Sequence, residues 1–168
     1  MNILNDEVFA VILAIMVIGS IFSVAEVLQP RIVEPFISIG LLNEECKIGD
    51  YPGEVFIGEN LTLCLLLYNY MGYPVLVQVK YKIGTNETLP TNTTPSPRPA
   101  IMIFEKLLDH NENTTLLIQV PIAVNKSYVG KEIALIFELW IYDVNQDNWV
   151  YSGIWNQLYV KVLEVPIP

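Results

Sequence analysis

The sequence predicts a mainly β protein, in which one N-terminal transmembrane helix precedes an antiparallel β-sandwich. Three observations predict it. A charge-poor apolar run of membrane length, Val8–Leu28 (VFAVILAIMVIGSIFSVAEVL), stands near the start of the chain. Beyond Pro30 the residues alternate between apolar and polar in short runs separated by turn chemistry. Five Asn-x-Ser/Thr acceptors, at Asn60, Asn86, Asn92, Asn113 and Asn125, all lie downstream of the apolar run. The expected division is a tail and helix over 1–30 and an extracytoplasmic sandwich over 31–168.

Residues 8–24 carry no charge, and an α-helix of about 20 residues crosses the hydrocarbon core. A lone segment in lipid must be helical to satisfy its own backbone. Glu26 falls in the last turn beside Gln29 and Pro30, where its carboxylate reaches the interface; a proton-relay or helix-pairing role is the sharper alternative. A secretory signal has a basic leading region and a small-residue cleavage site. Here Asp6 and Glu7 stand in place of the basic region, and Ala25 gives a poor cleavage context. A pilin-type leader lacks its basic residue for the same reason. An amphipathic core helix is excluded because the run is apolar all round.

Orientation sets two signals against each other. All nine Lys and Arg follow the helix, and the positive-inside rule read alone puts the C-terminal region in the cytoplasm. Thirteen asparagines would yield roughly one acceptor by chance, so five is an excess. Long domains also translocate largely regardless of charge. The expected location is therefore the cell membrane, single-pass, with the C-terminal domain outside and N-linked glycans attached.

The β region reads in order. Residues 34–42 (EPFISIGLL) form a short apolar run, and 49–53 (GDYPG) are a turn. In 60–69 (NLTLCLLLYN), Leu61, Leu63, Leu65 and Leu67 share a face. In 74–83 (PVLVQVKYKI), Val75, Val77, Val79 and Tyr81 oppose Leu76, Gln78, Lys80 and Lys82, the mark of a half-buried strand. Residues 84–100 (GTNETLPTNTTPSPRPA) read as a polar, Pro-rich loop with two acceptors. A loop this long is functional or mobile: a glycan-shielded segment, or an arm for a partner. Strands resume at 101–107, 114–120, 131–142 and 149–162, with a turn at 143–148. Seven short strands spaced by turns make an antiparallel sandwich.

No catalytic, cofactor-binding or metal-binding residue is expected. His110, the only histidine, sits in a polar turn with no nucleophile in sight. Asp109-x-Asn111-x-Asn113 and Asp143-x-Asn145-x-Asp147 resemble the start of a calcium loop, but each lacks the sixth-position Gly and the closing Glu, so both read as Asx-rich turns. Cys46 and Cys64, the only cysteines, are either a disulfide outside the cytoplasm or, for Cys64 among leucines, a small packed apolar residue. The last hairpin is aromatic. Trp149, Tyr151, Trp155 and Tyr159 share a face if the strand stays regular across Gly153. They read as cross-strand packing or as an exposed surface for a sugar or partner. A net charge of −9 argues against nucleic acid.

The motifs Glu34-Pro35-Phe36, Gly40-Leu41-Leu42 and Gly49-Asp50-Tyr51-Pro52 resemble the opening of an archaeal family of membrane proteins of unknown function. The match continues through Val55-Phe56-Ile57-Gly58-Glu59-Asn60, Tyr68-Asn69, Phe137-Glu138-Leu139-Trp140-Ile141-Tyr142 and Tyr151-Ser152-Gly153-Ile154-Trp155-Asn156-Gln157-Leu158. The resemblance implies an extracytoplasmic, immunoglobulin-like or adhesion-type sandwich on a membrane anchor, with no assigned activity. The functional expectation is a non-catalytic structural or accessory subunit of a membrane or envelope assembly, with lipid and other envelope subunits as partners. A filament subunit is the second class. An accessory chain of an enzyme complex whose chemistry lies on a neighbour is the third.

Overall fold

The computed structural model describes residues 6–28 and 34–164. The expected boundary at Pro30, with Gln29 and Arg31, lies outside the described residues. The chain divides into two compact units, Met1–Glu34 and Pro35–Pro168.

Helix α1 spans Asp6–Leu28. Every described side chain on it is exposed, and its apolar stretch has a mean hydropathy of 2.8. Its two hydroxyls bond within the helix, Ser20 Oγ to the Met16 carbonyl at 2.7 Å and Ser23 Oγ to the Gly19 carbonyl at 2.9 Å. From Val8 to Val24 the side chains therefore ask for no polar partner around the helix, as a lipid environment requires, and the carboxylate of Glu26 falls in the last turn.

The second unit is a two-sheet sandwich. Strands β1 (Phe36–Leu42), β3 (Asn60–Tyr70) and β6 (Asn113–Pro121) form one sheet in the order β1-β3-β6. Strands β2 (Glu54–Phe56), β4 (Val75–Gly84), β5 (Met102–Leu108), β7 (Glu132–Asp143) and β8 (Asn148–Leu163) form the other, in the order β2-β8-β7-β4-β5. Lettered in the immunoglobulin manner these are A-B-E and A′-G-F-C-C′, so the sandwich is immunoglobulin-like. One pairing departs from the antiparallel expectation: β2 runs parallel to β8, Glu54 opposite Lys161. The sequence reading missed β2, because three residues carry no detectable period.

The core lies between the sheets. Leu63, Leu65 and Leu67 of β3 face Val77, Val79 and Tyr81 of β4 and Leu135, Phe137 and Leu139 of β7. Tyr81 stacks on Phe137 at 5.2 Å. In antibody domains a buried Trp and a B–F disulfide hold this centre; here an aromatic pair on C and F does so. The Cys46–Cys64 bridge (S–S 2.06 Å, Cα–Cα 5.2 Å) instead ties the loop after β1 to the outward face of β3. At one edge Asn156 Nδ2 donates to the Ile39 carbonyl at 2.7 Å and joins the two sheets.

Candidate functional site

One expectation fails on the outer face of the five-stranded sheet. β4 is not half-buried: Gln78 and Lys82, on the face opposite the core, are almost as buried as the core valines, and β7 is buried on both faces from Ile133 to Leu139. The cover is the connection between β4 and β5. It folds back across the sheet as a strap: Pro90 and Ser96 are buried on its underside, while both of its acceptors, Asn86 and Asn92, stay exposed as a solvated segment would have them.

A buried charge pair fixes the strap. Lys82 Nζ lies 2.8 Å from Glu138 Oε2 and donates to the Ser96 carbonyl at 2.8 Å. Ser96 N donates to Glu138 Oε1 at 2.6 Å, and Trp140 Nε1 to Oε2 at 3.1 Å. The fully buried carboxylate therefore accepts from three donors, the condition under which a buried charge is tolerated. Ser96 Oγ bonds the Thr88 carbonyl at 2.7 Å, and Arg98 Nε bonds the Ile83 carbonyl at 3.0 Å. Lys80 Nζ sits 3.5 Å from the centre of the Trp140 ring. Burial and the neighbouring Lys82 charge hold its pKa below the ordinary lysine value, with Glu138 opposing them.

Two glycines admit the strap. A Cβ on Gly153 would stand 2.3 Å from the Asn92 carbonyl oxygen, and its φ of 79° is one that side chains rarely adopt. A Cβ on Gly84 would meet Thr88 Oγ1 at 2.4 Å.

The aromatic face is real but partly occupied. The register jumps between Leu139 and Trp140: Leu139 opposes Ile154 while Trp140 opposes Tyr151. This inserts Ser152 and Gly153 as a bulge. Because two residues are inserted, parity survives, and Trp149, Tyr151, Trp155 and Tyr159 all face outward. The strap takes two of their hydroxyls. Tyr151 donates to the Thr91 carbonyl at 2.9 Å, and Tyr159 to Asn86 Oδ1 at 3.1 Å. Trp149 packs edge-on against Tyr142 at 5.3 Å, and Trp140 lies 5.5 Å from Tyr151. The Trp155 indole N–H is buried without a partner among the described residues.

This burial predicts a pH response. Tyrosine in an unfolded chain ionises near pH 10. Desolvation, with a smaller contribution from the Glu138 charge, holds Tyr151 up to about 12. Burial shifts Tyr81 in the same direction. As pH rises above about 10 the unfolded chain gives up protons that the folded chain keeps, so stability is intact below about pH 10 and falls toward about pH 12. Thermal unfolding followed across that range should show the decline, and Tyr151→Phe should make it shallower. A melting point that stays flat to about pH 12 would contradict the buried environment.

The turns joining β3 to β4, β5 to β6 and β7 to β8 gather at one end of the sandwich. Asn69, fully buried, organises the first two: its Nδ2 donates to the carbonyls of Tyr73, Leu108 and Asp109 at 2.9, 3.0 and 3.1 Å. His110 Nδ1 accepts from Gly72 N at 3.0 Å, which is a turn contact. Asp143 Oδ1 accepts from Asn145 N at 2.8 Å, and Oδ2 from Gln146 Nε2 at 2.8 Å, so its carboxylate caps its own hairpin turn. Among the described residues no group of three or more His, Cys, Asp or Glu converges. Beside the hairpin lies an open cleft of about 720 Å³, lined chiefly by Tyr73, Pro74, Leu76, Leu107, Val144 and Val150.

All five acceptor asparagines are exposed. Two features escaped the sequence reading. One is the Lys82–Glu138 centre, whose members sit 56 residues apart with no motif between them. The other is an aromatic cluster on the outer face of the three-stranded sheet, where Phe36, Tyr68, Tyr70 and His110 lie in series with ring centres 5.4–6.1 Å apart. The spacing of Tyr68 and Tyr70 within β3 was its only signal.

No protein-family model and no curated protein sequence matches this chain. Among solved structures it is similar to the CARDB domain of a Pyrococcus furiosus protein in complex with di-metal ions. That likeness has 11% identity over 77% of this chain and 89% of that one, with a TM-score of 0.44. It is also similar to native alpha-2-macroglobulin from Escherichia coli, with 16% identity, 77% and 17% coverage and a TM-score of 0.45. A β-glucosidase from Listeria innocua in complex with glucose gives 11%, 77%, 16% and 0.42. The chain spans about a sixth of the last two. Likenesses this distant concern the sandwich and say nothing of ligand or partner.

Proposed function

We propose that this chain is a non-catalytic accessory or structural subunit of an archaeal membrane or cell-envelope assembly. Its one helix is held in lipid, and its glycosylated sandwich stands outside the cell. The observation that carries this is α1, apolar on every side from Val8 to Val24, with all its described side chains exposed and its hydroxyls satisfied internally. A helix of that character finds its partner in lipid or in other membrane helices. The exposure of all five acceptors and the Cys46–Cys64 bridge support an oxidising, glycosylating compartment. The archaeal assignment rests on the motif resemblance alone. Binding to neighbouring subunits would use the loop-end cleft and the exposed aromatic surfaces, as interface hot spots generally do.

Protease added to intact cells tests the topology. The expected result is loss of the sandwich with the helix left in the membrane. Full protection of a chain with bare asparagines would overturn the reading. Mass spectrometry of the native N-terminus separates an anchor from a processed leader. Gentle detergent extraction should then recover the chain with other envelope subunits, whereas a lone protomer counts against the subunit role.

A further inference from the structure

Away from the Cys46–Cys64 bridge, the outer face of the three-stranded sheet carries an aromatic cluster. Tyr68 and Tyr70 alternate with inward residues of β3, and Phe36 of β1 pairs with Tyr70 across the strands. Phe36 meets Tyr68 edge-on at 5.5 Å and is 43% exposed. The direct cross-strand partner of Tyr68 on the other side is Asn113, the first residue of β6 and an acceptor, Asn113-Thr114-Thr115. Paired residues in an antiparallel sheet share a face, with Cβ atoms about 4.5–5.5 Å apart. The nitrogen that would carry a glycan therefore projects from the same surface as the Tyr68 ring, one strand away.

We propose that the Phe36–Tyr68–Tyr70 cluster is the seat of the N-linked glycan on Asn113. The first sugar would lay its C–H face on the Tyr68 ring. A pyranose presents axial C–H bonds on one face, and an aromatic ring presents a negative face to receive them. The linkage has already confined that sugar to the neighbourhood of the ring, so little further freedom is lost on stacking. The glycan thus covers apolar surface that would otherwise remain in water. An aromatic residue also stands near two other acceptors, though through other contacts. Tyr159 Oη is 3.1 Å from Asn86 Oδ1. Asn125 caps the short helical turn Lys126–Tyr128, which ends in an aromatic residue.

The inference rests on the extracytoplasmic, glycosylated reading above, and the test separates the two. The full chain is produced in a glycosylating archaeal host, and glycopeptides are mapped. Bare asparagines at all five positions would overturn the underlying reading. A bare Asn113 beside occupied neighbours would overturn this inference alone. Where Asn113 is occupied, its acceptor is removed by Asn113→Gln, and independently by Thr115→Val, in the native background and in Tyr68→Leu. Leucine keeps apolar bulk on the strand and removes the flat ring. In the native background, loss of the glycan is expected to lower the melting temperature by about 3 °C. In Tyr68→Leu it is expected to change it by less than about 1 °C. Equal losses in the two backgrounds, or no loss in either, would sink the proposal.

Discussion

Replacing Glu138 by leucine is expected to cost about 3–5 kcal/mol of folding stability, as removing one member of a buried ion pair generally does. The substitution leaves the Lys82 ammonium buried without its counter-charge. It also removes the acceptor for Ser96 N and Trp140 Nε1, so three donors lose their partner at once. Lys82 is buried beneath the strap, and its other partner among the described residues is the strap's own Ser96 carbonyl, so it reaches water only if the strap lifts. The double change Lys82→Met with Glu138→Leu should recover part of the loss, since two apolar side chains of similar volume replace the charges. Recovery should stay incomplete, because the strap groups at Ser96 remain unpaired. Urea unfolding followed by tryptophan fluorescence reads this order directly: native most stable, the double variant next, the single variant last. Proteolysis adds a spatial readout. The single variant should be cut within residues 84–100 under conditions in which the native strap resists. Equal stability of the single and double variants would show that the charge pair is not what holds the cover down.

Opening the Cys46–Cys64 bridge is expected to lower stability by about 3 kcal/mol, the chain-entropy value for a loop of this size. For a domain of roughly 130 residues that corresponds to a melting-temperature loss of about 10 °C. The closed segment spans 18 residues, and it includes a hairpin-like turn with Cys46, Gly49 and Asp50 all at positive φ. Asn43 organises the same turn, since its Oδ1 accepts from Glu45 N at 3.0 Å and Lys47 N at 2.9 Å. Tyr51 pins the far side through its bond to the Leu41 carbonyl at 2.6 Å. Reduction should therefore loosen the turn without dismantling either sheet. Comparing melts of the oxidised chain, the reduced chain and a Cys46→Ser/Cys64→Ser variant checks this. A shift below about 2 °C would mean that the hydrogen-bonded turn already supplies the constraint.

The sandwich was legible because its long strands announce themselves by period. Val75, Val77, Val79 and Tyr81 alternate along β4, and Leu61 to Leu67 along β3, so the inward faces could be named before any contact was known. The short parallel pairing of β2 carries no such period and was missed. The strap was read only by its outer side, for a different reason. Its composition, rich in Pro, Thr and Asn, is that of a solvated loop, and nothing local reveals that Lys82 and Glu138 wait beneath it. A buried ion pair between strands is a non-local fact, written in two residues that each look like ordinary surface charges. The outward parity of Trp149, Tyr151, Trp155 and Tyr159 was readable only conditionally. It survived because the bulge at Ser152 and Gly153 inserts two residues and not one. The occupation of that face by Thr91 and Asn86 left no local trace.

The strap also imposes an order on how the molecule matures. Its two charged moorings belong to different strands, brought side by side only when β4 has paired with β7. The segment that covers them cannot settle until that pairing exists, so the cover closes after it. Until then the nascent domain presents an ammonium, a carboxylate and bare indoles on an unfinished surface. Wherever the domain folds, that surface would need shelter during the interval, and any defect in the moorings would lengthen it.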